Sequence, residues 1–246
     1  MRNPPALKLP RPLRDIIVEM DYEIRLYMDQ LAPQAVVQMP LHSAPVRAIY
    51  VISGGLRLGS GGATATLGAN SAWHNRGAVR AGAGHLTTLA LRWELAGPGE
   101  PDAPLAGDGV TSTRLLSARL ALDPAQPYLL RCDRVDFPPG GEALLHTHAG
   151  GGIRCLLFGA IEIETKGKRT PYGPLASWFE AGPDPVYAAA SKTEPTAFAR
   201  VMILPRSLLG KSSIAYVNAE DVAKPRSQQY QVFIDVAVEL PPNPNE

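Results

Sequence analysis

The stretch Gly140–Gly159, Gly-Gly-Glu-Ala-Leu-Leu-His-Thr-His-Ala-Gly-Gly-Gly-Ile-Arg-Cys-Leu-Leu-Phe-Gly, decides how the rest of the chain is read. It holds two of the five histidines, His146 and His148, one residue apart. Side chains alternate between the faces of a strand, so residues two apart point the same way. Two imidazoles on one face can each give a nitrogen lone pair to one metal ion. Two solvated histidines on a strand need no metal, so the pair alone leaves both readings open. The glycines Gly150, Gly151 and Gly152 then mark a tight turn, and Ile153–Phe158 is an apolar run closed by Gly159. The pattern predicts strand, short loop and strand.

Outward from this stretch the chain has the same texture. Its 246 residues include 24 prolines and 23 glycines, roughly a fifth of the total, with little helical periodicity. That composition predicts many short strands joined by tight turns, with few helices beyond single turns. The formal net charge is +1 and no Lys/Arg block occurs, so neither a nucleic-acid footprint nor an anionic membrane surface is expected. Cys132 and Cys155 make no disulfide framework and no Cys-x-x-Cys motif. Two buried thiols suit a reducing compartment, and the basic, Pro-rich Met1–Arg14 does not read as a signal peptide, so a cytoplasmic location is expected. No stretch approaches the ~18 apolar residues that span a bilayer.

Taken in order, Ile24–Met28 reads as a strand, and Val46–Ile52 followed by Ser53-Gly54-Gly55 and Leu56–Leu58 reads as a hairpin. Ala63–Leu67 is a further short strand, Trp73 falls in a predicted loop, and His85–Leu95 is a long strand. Ala96–Gly109 lacks periodicity and is rich in Gly, Pro, Ala and Asp, which places a linker there. A second set is then expected to open with Leu115–Leu122 and Tyr128–Phe137. The two sets match. Arg25 corresponds to Arg131, Leu31 to Phe137, Pro33 to Pro139 and His42 to His148, each 106 positions on. Beyond the next turn the spacing becomes 105, pairing Gly54 with Gly159, Leu56 with Ile161, Leu58 with Ile163 and Trp73 with Trp178. A single-residue length change in a turn accounts for the step. A repeat of this period is two copies of one domain rather than a solenoid.

The order of Gly140, five residues, His146-x-His148, a short loop, an apolar strand and Gly159 resembles the first motif of the cupin superfamily, and the doubled pattern resembles a bicupin over about residues 20–97 and 125–207. The resemblance implies an all-β chain of two tandem jelly-roll (cupin) β-barrels. The expected division is an N-terminal barrel at 15–97, a linker and edge strand at 98–122, a C-terminal barrel at 123–210 and an extension at 211–246 lying against a barrel or a neighbouring subunit. The family's histidines usually bind a divalent metal with a glutamate and a third histidine. Here the glutamate position is Gly152, and the third-histidine position in the second motif, Gly173–Tyr187, falls on Pro185 or Val186.

In the first repeat Pro40 replaces the first histidine and Arg47 the glutamate, leaving His42, so this barrel is expected to be structural, with His74, Asn75 and His85 as hydrogen-bonding groups. In the second, His146 and His148 are the expected metal ligands and Glu180 the leading third ligand. Two histidines and one carboxylate form the triad of non-haem iron oxygenases. Glu142, four residues before His146, is the second candidate if its strand is regular. Arg154 is expected to point inward beside the histidines, either clamping a substrate carboxylate or ion-paired with Glu180 or Glu142. Tyr187 is expected to bring a hydroxyl to the same mouth.

These residues predict a metal-dependent enzyme using Fe(II), Mn(II), Ni(II) or Zn(II) on a small organic acid or oxygenated aromatic. A dioxygenase is expected ahead of an isomerase or lyase. The alternatives are a metal-free binding or sensor module and a structural or storage protein. Because Val46–Ile52 and Ile153–Phe158 are apolar at successive positions, both faces of each are expected to be covered, between barrels or in a homodimer.

Overall fold

The structure, a computed structural model, describes residues 19–39 and 46–242. Pro40 and His42 lie outside the described residues. The first barrel comprises β1 (Met20–Leu31), β2 (Val36–Met39), β3 (Val46–Ser53), β4 (Gly55–Ser60), β5 (Ala63–Gly68), β6 (Ser71–Arg76), β7 (Val79–Ala83), β8 (Thr88–Ala96) and β9 (Val110–Leu122). The second comprises β10 (Tyr128–Phe137), β11 (Glu142–His148), β12 (Gly152–Phe158), β13 (Ile161–Thr165), β14 (Lys168–Tyr172), β15 (Ser177–Glu180), β16 (Val186–Ala190), β17 (Thr196–Pro205), β18 (Ile214–Tyr216) and β19 (Gln229–Val238). Two 3-10 turns, Arg206–Leu208 and Ala219–Asp221, are the helical elements among the described residues. No helix among these is long and apolar enough to cross a membrane.

The repeat seen in the sequence is a repeat of topology. One sheet of the first barrel runs β6-β3-β8-β1-β9 and its counterpart runs β15-β12-β17-β10-β19. The facing sheets run β2-β7-β4-β5 and β14-β13-β16-β11-β18. The hairpin glycines Gly54 and Gly159 take φ of 78° and 79°, the left-handed region that glycine enters without a Cβ penalty. Each packs beside a threonine at the start of the same following strand, Thr88 and Thr196.

Two expectations are corrected. Leu115–Leu122, taken as the opening of the second set, belongs to β9, which pairs along β1 and completes the first barrel's sheet. The run is β-rich on either assignment, and what decides it is the unpaired edge of β1, a row of backbone donors and acceptors that must find partners. Its counterpart is β19, and both ladders carry a register shift at matching places, Leu26/Tyr27 and Cys132/Asp133. Trp73, assigned to a loop, sits on β6. Strand β18 has no first-barrel equivalent among the described residues: it adds to the edge of β11 directly opposite the histidines.

A core cluster joins the barrels, with Val46, Ala48, Leu91 and Trp93 from the first and Ile153, Cys155, Val201 and Ile203 from the second. The Trp93 indole N–H donates to the Ile153 carbonyl at 3.1 Å. Alternate residues of the same strands, such as Ile49 and Leu156, face the separate barrel interiors. The continuous apolar runs are thus covered on both faces within one chain. Cys132 and Cys155 are free thiols in the shared core.

Candidate functional site

His146 and His148 are buried at the end of β11 and face into the second barrel. Strand parity does not carry back to Glu142. The ladder with β16 runs Glu142↔Ala189, Ala143↔Ala188 and then His146↔Val186, so β11 holds an extra residue between Ala143 and His146. Such a bulge flips the alternation. Ala143 faces inward, and Glu142 is exposed on the outside. The expected inward Glu142 is therefore overturned. Tyr187 is corrected with it. On β16 the buried residues are Val186, Ala188 and Ala190, which turns Tyr187 to the outer face. There partial burial and a hydrogen bond with Glu142 push its hydroxyl up to about 12.

The other predicted residues do meet. The His146 Nδ1–H donates to the Leu144 carbonyl at 2.7 Å, which leaves a lone pair on Nε2. That atom lies 3.2 Å from His148 Nε2, with the two rings perpendicular. His148 Nε2 lies 3.0 Å from Glu180 Oε2. Its proton is therefore shared toward the carboxylate and the His146 lone pair, and His148 Nδ1 is buried without a partner. Burial, with Arg154 nearby, pushes the His148 imidazole down to about 3, and burial lowers His146 as well, so both rings are neutral.

Glu180 arrives from the neighbouring strand β15, where it pairs with Gly152. Its Oε1 accepts from the Trp178 indole at 2.8 Å, and its Oε2 accepts from Arg154 Nη2 at 2.7 Å. Burial opposes its charge, but Arg154 and His148 outweigh that and hold the carboxyl well below the usual range. Arg154 is 0% exposed, donates also to the Gly152 carbonyl at 2.6 Å, and is lowered by burial to about 10. Of the alternatives left open for Arg154, its partner here is Glu180.

Gly152 explains why the carboxylate comes from β15. A Cβ there would lie 2.2 Å from the Val201 carbonyl oxygen and 2.8 Å from Met202 Cα. A glutamate at this position would require β12 and β17 to move apart. Gly152→Ala is accordingly expected to destabilise the chain by about 1–3 kcal/mol, the usual range for overpacking. Urea denaturation would measure it, and a neutral effect would refute the close approach.

One pair escaped the sequence reading. Arg200 and Asp133 are buried, and Nε and Nη2 of the arginine bind the two carboxylate oxygens at 2.6 and 3.1 Å. The signal was present in the repeat, because Thr88-x-x-x-Arg92 corresponds to Thr196-x-x-x-Arg200. Arg92 likewise binds Asp29 at 2.7 Å and stacks on Tyr27. In the first barrel Arg92 and Arg47 also share Glu94, at 2.8 and 2.7 Å. That network is self-neutralising, two guanidinium groups against two carboxylates. His74 accepts this structural role through a 2.8 Å contact with the Arg47 carbonyl, Asn75 is half-buried on β6, and His85 is exposed.

The second-barrel cavity bordered by His146, His148, Arg154, Glu180 and Arg200 measures about 20 Å³ and is closed by Ile214 and Tyr230. That holds about one water and no organic molecule. A far larger concavity, about 930 Å³, lies on the outside of the first barrel around Arg57, Arg80 and His85. Its lining holds no carboxylate and a single histidine, so the concentrated chemistry remains in the second barrel.

The 3.2 Å and 3.0 Å separations suit ligands about 2.1 Å from one centre, and the Nδ1–H of His146 is anchored as a metal-binding histidine requires. Yet among the described residues no group of three or more His, Cys, Asp or Glu stands ready-made as a metal site. The reason lies at Glu180, whose carboxylate is engaged by Arg154 and Trp178. The histidine pair fits a metal; the third donor fits once Arg154 finds another anion.

No family model matches the chain, and neither does any curated protein. Solved structures do. Oxalate decarboxylase from Lactobacillus farciminis, in complex with formate, superposes with a TM-score of 0.60 at 12% identity, covering 82% of each chain. The fold is two tandem cupin-type jelly rolls. AerE from Microcystis aeruginosa gives a TM-score of 0.56 at 13% identity, over 74% of this chain and 88% of that one. A protein described as glyoxylate-induced, from Pseudomonas aeruginosa, gives 0.53 at 13% identity over 74% of each. At these identities the tandem jelly roll is what the proteins share.

Proposed function

We propose that this chain is a bicupin of the cupin superfamily whose second barrel acts on a small organic acid with a divalent metal held by His146, His148 and Glu180. The supporting observation is the meeting of two buried neutral imidazoles, Nε2 to Nε2 at 3.2 Å, beside a buried carboxylate. Charge selects the substrate class. A divalent ion with Glu180 and Arg154 leaves the chamber with surplus positive charge, because Arg200 is already neutralised by Asp133. A buried site of that sign favours an anion. The carboxylate of the substrate takes the Arg154 guanidinium, and Glu180 is thereby freed toward the histidines. The names of two structural relatives, oxalate decarboxylase and a glyoxylate-induced protein, point to the same class of small acids. Bound there, a metal supplies Lewis acidity and open positions, which serve a dioxygenase first and an isomerase or lyase second.

The test is elemental analysis of protein purified without an affinity tag and loaded with Mn(II), Fe(II), Ni(II) or Zn(II). About one equivalent is expected. His146→Ala should weaken binding by more than the roughly 10–100-fold typical of losing an outer-sphere partner, while His42→Ala should leave it unchanged. Metal retained by the His146 variant would defeat this reading. The second reading, a metal-free organic-acid binder or sensor, is favoured by the Arg154–Glu180 pair that occupies the third donor. Wild-type protein that takes up none of the four metals would establish it.

A further inference from the structure

A second cavity lies directly against the first. It measures about 340 Å³ and shares Arg200, Ile214 and Tyr230 with the histidine chamber. Those three side chains are therefore the partition between the buried cluster and a space that opens past exposed Lys211, Arg226 and Val232. Its volume falls within the range of small-molecule sites, roughly 300–1,000 Å³, which the chamber behind it does not approach.

The charges of this vestibule do not cancel. Both oxygens of Asp133 are taken by Arg200 at 2.6 and 3.1 Å. Both oxygens of Asp235 are taken by Arg131 at 3.0 and 3.1 Å, and one also accepts from the Gly210 N–H. Lys211 and Arg226 remain. Both line the vestibule, and among the described residues no ion pair engages either. Arg226 is held over the Tyr216 ring, its guanidinium carbon 5.7 Å from the centroid. The same lining holds an apolar surface, Val232, 54% exposed, with Ile214 and the Tyr230 ring, beside Ser212 and Ser213. Two unpaired cations bordering an apolar wall match a carboxylate carried on an apolar or aromatic body.

One member of the partition is held by a short edge strand, while Arg200 and Tyr230 sit on the long strands β17 and β19. Ile214 lies on β18, a three-residue edge strand joined to β11 by the pairs His146↔Tyr216, Thr147↔Ala215 and His148↔Ile214. Short edge strands with few backbone bonds open at low free energy. Among the described residues the first barrel shows no strand in this place.

We propose that this vestibule is a binding site for organic carboxylates with an apolar or aromatic body. Lys211 and Arg226 hold the charged end, and the ligand passes Ile214 and Tyr230 to reach the histidine chamber. The last step rests on the function proposed above; the vestibule site itself does not.

Benzoate is the probe, titrated into metal-free protein by calorimetry and by ligand-observed NMR. Wild type is expected to bind it saturably, with affinity falling as salt rises. The double variant Lys211→Ser with Arg226→Ser, at exposed positions where folding is not at stake, should lose about tenfold or more in affinity. Val232→Asp should lose as much by placing a carboxylate in the wall. His146→Ala should bind benzoate within about twofold of wild type, because the histidine lies behind the partition. Absence of saturable binding to wild type at millimolar benzoate would overturn the proposal. So would unchanged affinity in the double variant, or an equal loss in His146→Ala, which would locate benzoate in the chamber. Benzoate binding that persists in a protein taking up no metal would refute the metal site and leave the vestibule standing.

Discussion

Glu180→Gln is expected to lower the stability of the metal-free protein by about 3–5 kcal/mol, the usual cost of leaving one member of a buried ion pair without its partner. Glu180 accepts from Arg154, His148 and Trp178 inside a closed barrel. An amide of the same shape still accepts from the indole, but it returns no charge to a guanidinium that is 0% exposed. Arg154→Met should cost a similar amount from the other side, since it strands the carboxylate. Combining Arg154→Met with Glu180→Met should recover part of the loss, because an apolar pair avoids the desolvation of both charges but leaves the Trp178 indole N–H without its acceptor. Urea denaturation of wild type, Glu180→Met, Arg154→Met and their combination measures the cycle, with Glu180→Gln alongside. Single variants within about 0.5 kcal/mol of wild type would show that the pair is not buried as described. The same variants separate stability from chemistry: Glu180→Gln should also lose metal, whereas Arg154→Met should keep metal and lose preference for acidic over neutral ligands.

Acid should weaken the metal-free protein well before its carboxylates titrate. Burial holds His148 neutral down to about 3, against an ordinary value of 6.5, and lowers His146 in the same direction. As pH falls below about 6.5 the unfolded chain takes up protons at these imidazoles while the folded chain does not. The state that binds more protons gains, so stability declines with falling pH, by up to about 1.4 kcal/mol per pH unit for His148, with His146 adding a loss of the same sign. Both contributions are fully present above about pH 6.5, and that of His148 continues to drain away toward pH 3. Glu180, held below the usual carboxylate range, adds a second loss of the same sign, which begins only below about pH 4. His148→Gln should remove the His148 share and make the slope between pH 6 and pH 5 clearly shallower. Equal slopes in variant and wild type, measured with chelator present, would mean that His148 is not buried neutral.

Much of this molecule was legible in one dimension because its signals are local or periodic. The hairpin glycines Gly54 and Gly159 announce positive φ, and their common spacing with Trp73 and Trp178 announces two copies of one barrel. The two-residue period of a strand places His146 with His148, and Gly152 with Arg154. The same local arithmetic failed where one extra residue entered. The bulge in β11 turned Glu142 outward, and nothing in Glu-Ala-Leu-Leu-His marks it, since bulges are set by how the partner strand must bend. Tyr187 failed for a related reason: its face is fixed by the register of β16, which depends on Val186 and Ala188 packing inward.

The sequence by itself determined the tandem jelly roll, the unequal share of histidines in its halves and the short list containing His146, His148, Arg154 and Glu180. Tertiary structure alone decided what those residues do to one another. It brought the β15 carboxylate opposite Gly152, where the close approach of β17 leaves no room for a side chain. It coupled Glu180 to Arg154 rather than to water, and drew β18 and Tyr230 from a stretch without motifs to close the chamber. Contacts between distant segments depend on strand order and register, and those are settled by the burial of the whole core rather than by any one segment.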